Sequence, residues 1–490
     1  MTSLVSAPPP PAGPGIAARV RSAVAWRWGG QVLGQLITWT ATILVVRLLD
    51  PHDYGLFAMS QAVLAAFNVL NGYGFATSLI QARAVSERRI AQVFGLLIVS
   101  NAALALVQLI AAPFAAAYYG QPVIAEMLRV QALIFLTTPF IALPSALLAR
   151  QIEFRSQALI NLGCAGVGAG VALGLAWAGW GVWALVFAPI AMFASRALGL
   201  TLKARLLVRP SFDFRGSRDI VLFGGALTLS QVFWIVQSQA DVFIAGRSFS
   251  PHDLGLYSEA LFLTLIFTGR FLPPLNEVAL AAYAELAQTG QSLASAFVRS
   301  ARLTMLLAAP LLVGLSLTAG PIVATLFGPK WLEMIPIVAG LALAMPTMAL
   351  QIVCSPTTNA LGRPRIYLTT SIIGAVLMPL CYLVGVRFGT TGLVHAWQIA
   401  APSLLAVTLA LTLPAIGARL RDLAAALWPV AAATAAMGAV VTLLDQWAVS
   451  LVPPLRLAVL VGAGAASYCG ALLLGWPAVV REAWAMLRGK

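Results

Sequence analysis

The chain is a succession of apolar runs, each about 20 residues long, separated by short polar connections. A run of that length is long enough to cross the hydrocarbon part of a lipid bilayer as one helix. Only 9% of the residues are charged, whereas soluble domains typically have about 25%. We count about 14 such runs. The sequence therefore predicts an all-α polytopic membrane protein.

A duplicated hairpin shows how the runs are arranged. The segment 31–57 aligns without gaps with 231–257, with eight identities in 27 residues, and each copy contains the tripeptide Pro-His-Asp. Each copy joins two apolar runs, so the repeated unit is a pair of membrane helices connected by a tight turn. Six spans separate the two copies, which predicts two six-helix lobes with parallel topology.

The repeated Pro-His-Asp turn has the spacing of a helix start. Proline at the first helical position loses no needed hydrogen bond, and a carboxylate at the third position accepts backbone amides and favours the positive helix end. The alternative is a proton-relay or catalytic role for His52 and His252. We favour the structural interpretation, with these helix-cap residues: Pro51, Asp53, Ser250, Pro251 and Asp253.

Charge predicts the orientation and the domains. Of the 30 Lys and Arg residues, 22 lie in alternate connections or at the termini, which by the positive-inside rule places both termini and these connections in the cytoplasm. The expected organisation is a disordered cytoplasmic tail (1–24), an N-terminal lobe (25–203), a basic linker (204–218), a C-terminal lobe (219–417), and two additional helices with a basic C-terminus (418–490).

Polar residues form stripes on the first and seventh spans. Gln31, Gln35 and Thr38 share one helix face, and Gln237 lies in the corresponding part of the seventh span. Such residues either line a cavity or join helices by hydrogen bonds. Their presence in both halves favours a shared polar cavity, with these candidate substrate-binding residues: Arg270, Gln31, Gln35, Thr38, Asn68, Gln231, Trp234 and Gln237.

Arg270 lies within the eighth predicted span, 254–282. A guanidinium at membrane depth needs a partner or a water-filled cavity, so it is a functional candidate. The alternative is a structural ion pair with Glu277 or Asp241. Pro273 and Pro274 are expected to break this helix. Asp241, Glu259 and Glu277 are the candidates for coupling to an ion.

Other classes of function find no support in the sequence. The basic residues do not cluster in a soluble domain, so nucleic acid is not an expected partner. The four cysteines are isolated within apolar runs and have no metal spacing. No glycine-rich phosphate loop with its lysine occurs. We expect no catalytic residues, no metal and no cofactor.

Several stretches resemble the polysaccharide transporter family of Wzx-type flippases, within the superfamily of multidrug, oligosaccharidyl-lipid and polysaccharide exporters. They are RLLDPHDYGLF from Arg47, DVFIAGRSFSPHDLGLY from Asp241, LLARQIEFRSQALI from Leu147 and ALGRPRIYLTTSII from Ala360. The resemblance implies two six-helix lobes around a central cavity, alternating access, and a polyprenyl-pyrophosphate-linked oligosaccharide as substrate. It does not specify the sugar.

The resulting expectation is a transporter, not an enzyme, in the bacterial inner membrane. It would move oligosaccharide repeat units outward for lipopolysaccharide, capsule or exopolysaccharide synthesis, with the lipid bilayer and other polysaccharide assembly proteins as further partners. Two alternatives stay open. One is a membrane-embedded polymerase or glycosyltransferase, although the outward turns are short for such a site. The other is a cation-coupled small-molecule exporter on the same fold.

Overall fold

The computed structural model describes residues 16–487, except for 69, 72, 82–85, 151–153, 206–207, 216–232, 234 and 290–291. All regular structure in these residues is helical, and ten segments among them are long and apolar enough to cross a membrane. The prediction of an all-α polytopic membrane protein is confirmed.

The helices follow one another with short connections. The first nine are α1 (Ile16–Leu48), α2 (Pro51–Asn68), α3 (Tyr73–Gln81), α4 (Glu87–Tyr119), α5 (Val123–Gln131), α6 (Leu133–Thr137), α7 (Pro139–Arg150), α8 (Phe154–Trp177) and α9 (Val182–Ala204). The others are α10 (235–248), α11 (Pro251–Arg270), α12 (Leu272–Gln288), α13 (Leu293–Leu317), α14 (Ala319–Leu326), α15 (Ile335–Ala360), α16 (Pro364–Gly385), α17 (Gly389–Ile416), α18 (Leu420–Trp447), α19 (Pro453–Gly475) and α20 (Pro477–Leu487). Short 3₁₀ turns occupy Pro329–Met334, Val386–Phe388 and Ala448–Ser450.

The chain forms two compact units. Unit 1 draws on residues 1–48, 67–117 and 122–229, and unit 2 on residues 49–66, 118–121 and 230–490. In unit 1, α8 packs against both α1 and α9, and α7 packs against α3 and α9. In unit 2, α15 packs against α11, α12, α13 and α17, and α18 packs against α13 and α19. The division into two six-helix lobes and a linker at 204–218 stays a prediction.

Three details differ from the sequence-based expectation. Helix α1 begins at Ile16, so residues 16–24 are helical where a disordered tail is predicted; alanine and arginine, common in this stretch, are strong helix formers. The fourth predicted span, 124–149, is divided into α5, α6 and α7, and Pro139 starts α7. Helix α20 is an additional amphipathic helix, whose Glu482 pairs with Arg299 and Arg302 of α13.

The eighth predicted span is interrupted as its prolines predict. Helix α11 ends at Arg270 and α12 begins at Leu272, with Phe271 between them and Pro273 and Pro274 in the first turn of α12. Proline has no backbone N–H and its ring clashes with the preceding turn, so it favours a helix start over a helix interior.

The basic segment after α9 is anchored to the start of α4 within unit 1. The Gln92 side-chain amide donates to the carbonyl oxygens of Asp213 and Arg215, at 2.9 and 3.1 Å. The Ser211 N–H donates to the Ala91 carbonyl oxygen at 2.9 Å, and Arg88 pairs with Asp213 at 3.2 Å. Gly95 permits this approach, because a Cβ there would overlap the Ser211 carbonyl oxygen.

The two copies of the Pro-His-Asp turn meet inside unit 2. Gly55 of α2 lies against the start of α11, where a Cβ would overlap the Pro251 carbonyl oxygen. Gly255 of α11 lies in the same way against the Pro51 carbonyl oxygen. Only glycine allows two helix backbones to come this close. The duplicated motif therefore packs against itself in a reciprocal helix crossing.

Candidate functional site

The Pro-His-Asp turns form helix starts. Ser250 is the N-cap residue of α11: its Oγ accepts from the Asp253 N–H at 3.1 Å and its hydroxyl donates to Asp253 Oδ2 at 2.7 Å. In the first copy the Asp53 N–H donates to the Asp50 carbonyl oxygen at 3.0 Å, and the Asp50 N–H lies 3.5 Å from Asp53 Oδ2. These bonds use the orphan amides of the first helical turn.

The histidines of the turns line neither of the cavities described below. His52 is exposed. His252 Nε2 lies 3.2 Å from Glu333 Oε2, and Lys330 Nζ lies 2.7 Å from Asp50 Oδ1. Both partners belong to the 3₁₀ turn Pro329–Met334, so this turn contacts both copies of the motif within unit 2.

Unit 1 contains a polar cavity of about 580 Å³. It lies among α1, α3, α7, α8 and α9, and small residues such as Gly34 and Ala146 leave it open. The three predicted residues of α1, Gln31, Gln35 and Thr38, all line it. Its polar lining residues are Gln31, Gln35, Thr38, Thr77, Ser145, Gln157, Asn161 and Arg196.

Arg196 is the charged member of this lining, and it is not among the site residues predicted from the sequence. It lies eight residues before Ala204, the last residue of α9, or about 12 Å along the helix axis. It forms no ion pair with a described residue, and its Nε is buried without a hydrogen-bond partner in the described part of the chain. Its position within an apolar run is the sequence signal that points to it, the same signal that makes Arg270 a candidate.

Unit 2 contains a smaller cavity of about 210 Å³ among α10, α12, α15, α16 and α17. The predicted residue Gln237 lines it, together with amides and hydroxyls from the other helices. None of its described lining residues is charged. Its polar lining residues are Gln237, Asn276, Gln351, Ser355, Thr358, Tyr367, Thr370, Ser371, Thr408 and Thr412.

Asp241 is fully buried in unit 2 at the centre of a hydrogen-bond chain. The Tyr257 hydroxyl donates to Asp241 Oδ2 at 2.8 Å, and the Trp397 indole N–H donates to the Tyr257 oxygen at 2.8 Å. The Val242 N–H donates to Asp241 Oδ1 at 2.8 Å. A buried carboxylate requires such donors, because an unsatisfied one is strongly disfavoured in an apolar interior. The chain links α10, α11 and α17.

Arg270 is the last residue of α11 and is exposed, directly before the break at Phe271. It makes no ion pair with Glu277 or Asp241, so the structural pairing considered as an alternative does not form between these described residues. Glu277 is exposed and Glu259 is half-buried. The structure does not bring these groups together into one site.

The remaining predicted site residues are placed as follows. Asn68, at the end of α2, is half-buried and lines neither cavity. Gln231 and Trp234 lie outside the described residues. The substrate-binding and ion-coupling roles assigned from the sequence stay predictions.

Comparison with known proteins gives the family. The polysaccharide biosynthesis protein family matches residues 44–336, more than half of the chain. The succinoglycan biosynthesis transport protein ExoT of Rhizobium meliloti (strain 1021) is 24% identical over 341 residues, which are 68% of this chain and 67% of ExoT. The teichuronic acid biosynthesis protein TuaB of Bacillus subtilis (strain 168) is 24% identical over 272 residues, 55% of this chain and 56% of TuaB. The match thus spans between about half and two thirds of these relatives.

Among solved structures, the lipid II flippase MurJ in an inward closed conformation superimposes with a TM-score of 0.75 and 12% identity, covering 93% of this chain and 99% of MurJ. At this identity the likeness shows the fold. The resemblance to polysaccharide transporters predicted from the sequence is confirmed by the family match. The chain belongs to the polysaccharide biosynthesis protein family.

Proposed function

We propose that this protein is a flippase that moves a polyprenyl-pyrophosphate-linked oligosaccharide repeat unit across the bacterial inner membrane by alternating access. The observation that carries the proposal is the cavity of unit 1, where amides, hydroxyls and one guanidinium lie among membrane-spanning helices. The family match and the transport role in the name of ExoT support it. The product would be used for surface polysaccharide such as lipopolysaccharide, capsule or exopolysaccharide.

The chemistry of the lining suits this substrate. Side-chain amides and hydroxyls both donate and accept hydrogen bonds, as the hydroxyl groups of a saccharide require. A guanidinium binds phosphate or carboxylate oxygens in a bidentate manner. Arg270, which has no ion-pair partner among the described residues, is our candidate for the pyrophosphate. These contacts would replace the water that the polar head loses on entering the membrane.

The orientation follows from charge. The basic connections and both termini would lie in the cytoplasm, and the Pro-His-Asp turns on the outer side. Coupling to an ion would use Asp241, Glu259 or Glu277, of which Asp241 is the most buried. The protein would act as a transporter and not as an enzyme, together with other polysaccharide assembly proteins.

Deleting the gene in its host tests the proposal in the cell. The lipid-linked repeat unit should accumulate and surface polysaccharide should fall, and a plasmid copy of the wild-type gene should reverse both changes. Mass spectrometry of extracted lipids and quantification of surface polysaccharide measure them. An unchanged lipid-linked pool with normal surface polysaccharide would contradict the proposal.

A further inference from the structure

The cavity of unit 1 has one property that transport of a saccharide does not require in itself. Arg196 is a charge about 12 Å from the end of its helix, with a buried Nε that lacks a hydrogen-bond partner in the described part of the chain. An ionisable group at membrane depth is costly and is retained where it binds something. The described residues around the cavity include no carboxylate that could neutralise it.

The fold itself does not need this charge. The cavity of unit 2 is built from the corresponding kind of helices and is lined by the same classes of side chain, amides and hydroxyls, yet its described lining residues are all uncharged. Thr408 and Thr412 of α17 occupy that cavity's wall, whereas α9 contributes Arg196 in unit 1. A polar cavity of this type therefore forms without an arginine.

The surroundings of Arg196 indicate which anion fits. The other polar lining groups are neutral, and they include the amides of Gln35, Gln157 and Asn161. One guanidinium matches one carboxylate through two parallel hydrogen bonds. A pyrophosphate carries more negative charge than this one guanidinium offsets, and Arg270 is already the candidate for a contact to it. A single carboxylate surrounded by hydroxyl groups is the chemistry of an acidic sugar.

We propose that the unit 1 cavity is the subsite for an acidic sugar residue of the transported saccharide, in which Arg196 binds the carboxylate and the neighbouring amides bind the hydroxyls. This inference rests on the proposed flippase function. It adds a substrate class, saccharides that contain a uronate-type sugar. It also separates the recognition of the sugar from that of the pyrophosphate.

Two synthetic lipids test the subsite. Both are polyprenyl-pyrophosphate disaccharides, one with a glucuronate residue and one with glucose in the same position. The initial flipping rates of both are measured in proteoliposomes that contain the full-length protein. Arg196→Gln should lower the ratio of the acidic rate to the neutral rate about tenfold, a change of about 1.4 kcal/mol, and Arg196→Lys should lower it less because the charge is kept. If Arg196→Gln slows both lipids by the same factor, or neither, the inference is wrong.

Two glycine variants, one inside the cavity and one outside it, test whether the subsite lies in the unit 1 cavity. A Cβ at Gly34 would meet no atom within 4 Å, and Gly34 lines the cavity, so Gly34→Leu should fold and reduce the flipping of both lipids. Gly29 has the same open surroundings but does not line the cavity. Gly29→Leu should therefore leave both rates unchanged. Equal rates for Gly34→Leu and the wild type would contradict a substrate site here.

A binding measurement separates this inference from the proposed function. Glucuronate, glucose and inorganic pyrophosphate are each titrated into the purified full-length protein in lipid nanodiscs. Binding of glucuronate in preference to glucose, lost in Arg196→Gln, supports the subsite even if the wild type moves neither lipid, in which case the flippase proposal alone fails. If Arg196→Gln instead loses pyrophosphate binding and keeps glucuronate binding, the proposed subsite is wrong.

Discussion

Gly55 and Gly255, which are 200 positions apart in the sequence, lie against each other where α2 and α11 cross in unit 2. A Cβ on either glycine would overlap the carbonyl oxygen of the proline that starts the other helix, Pro251 or Pro51. The relation is reciprocal because the two helices carry the same Pro-His-Asp-X-Gly motif. The motif thus serves both as a helix start and as the surface on which its two copies pack.

Replacing one of these glycines should destabilise unit 2. In Gly255→Ala the new methyl group requires a backbone shift, because the atom that it meets is the Pro51 carbonyl oxygen and not a flexible side chain. Overpacking of this kind typically costs about 1–3 kcal/mol. The apparent melting temperature of the detergent-purified protein should fall. Gly269→Ala in the same helix is the control: no atom lies within 4 Å of its Cβ, so it should melt at or above the wild-type temperature.

The Tyr257 hydroxyl joins Asp241 to Trp397 by hydrogen bonds and should therefore contribute to the stability of unit 2. Tyr257→Phe leaves a buried carboxylate oxygen and a buried indole N–H without this partner, at a cost of about 1–3 kcal/mol. Tyr382→Phe is the matched control, since Tyr382 is also fully buried but its hydroxyl donates to the Met378 sulfur, a weak acceptor, at 3.4 Å. Thermal unfolding of both variants checks this. A larger loss in Tyr382→Phe would contradict the account.

The hydrogen bonds that hold the segment 208–215 to α4 should slow its cleavage by protease. Gln92→Leu removes both hydrogen bonds from this side chain to the Asp213 and Arg215 carbonyl oxygens. Trypsin should then cleave after Arg215 faster than in the wild type, since protease needs a locally detached chain. The initial rate is read by mass spectrometry of the fragments. Gln108→Leu, a buried amide on the same helix that binds Leu128, should leave the rate unchanged.

Arg270 should affect transport if it binds the phosphate of the substrate. Arg270→Gln should reduce the flipping of acidic and neutral lipid-linked saccharides by the same factor, because both carry the pyrophosphate, and Arg270→Lys should retain part of the rate. The contrast with Arg196 is direct, since that residue should distinguish the two lipids. Normal flipping of both lipids by Arg270→Gln would contradict a phosphate-binding role for this residue.

Local signals predicted much of this structure. Periodicity and composition indicated the helical membrane fold, the spacing of Ser250, Pro251 and Asp253 indicated a helix start, and Pro273 and Pro274 indicated the break between α11 and α12. The stripe on α1 lines a polar cavity in unit 1, whereas the cavity shared by both halves stays a prediction. These features depend on residues close in sequence, so their physical causes can be seen in the sequence itself.

Features that depend on distant residues were not predicted. The shared glycine at 55 and 255 was visible as an identity, but its contact with the other copy requires the tertiary arrangement. The sequence does not show that Arg196 lacks an ion-pair partner among the described residues, nor that Arg270 forms no ion pair with Glu277 or Asp241 there. The link from Tyr257 to Trp397 spans 140 positions. Pairing across such distances is decided by packing.

Reconstitution with a labelled substrate tests the central claim most directly. A polyprenyl-pyrophosphate oligosaccharide with a fluorescent group on its sugar is placed in liposomes with and without the purified protein, and a membrane-impermeant quencher is then added outside. The account predicts that protein-free liposomes protect about half of the label, the inner-leaflet share, while proteoliposomes lose this protection as the substrate crosses to the outer leaflet. Equal protection with and without the folded protein would contradict it.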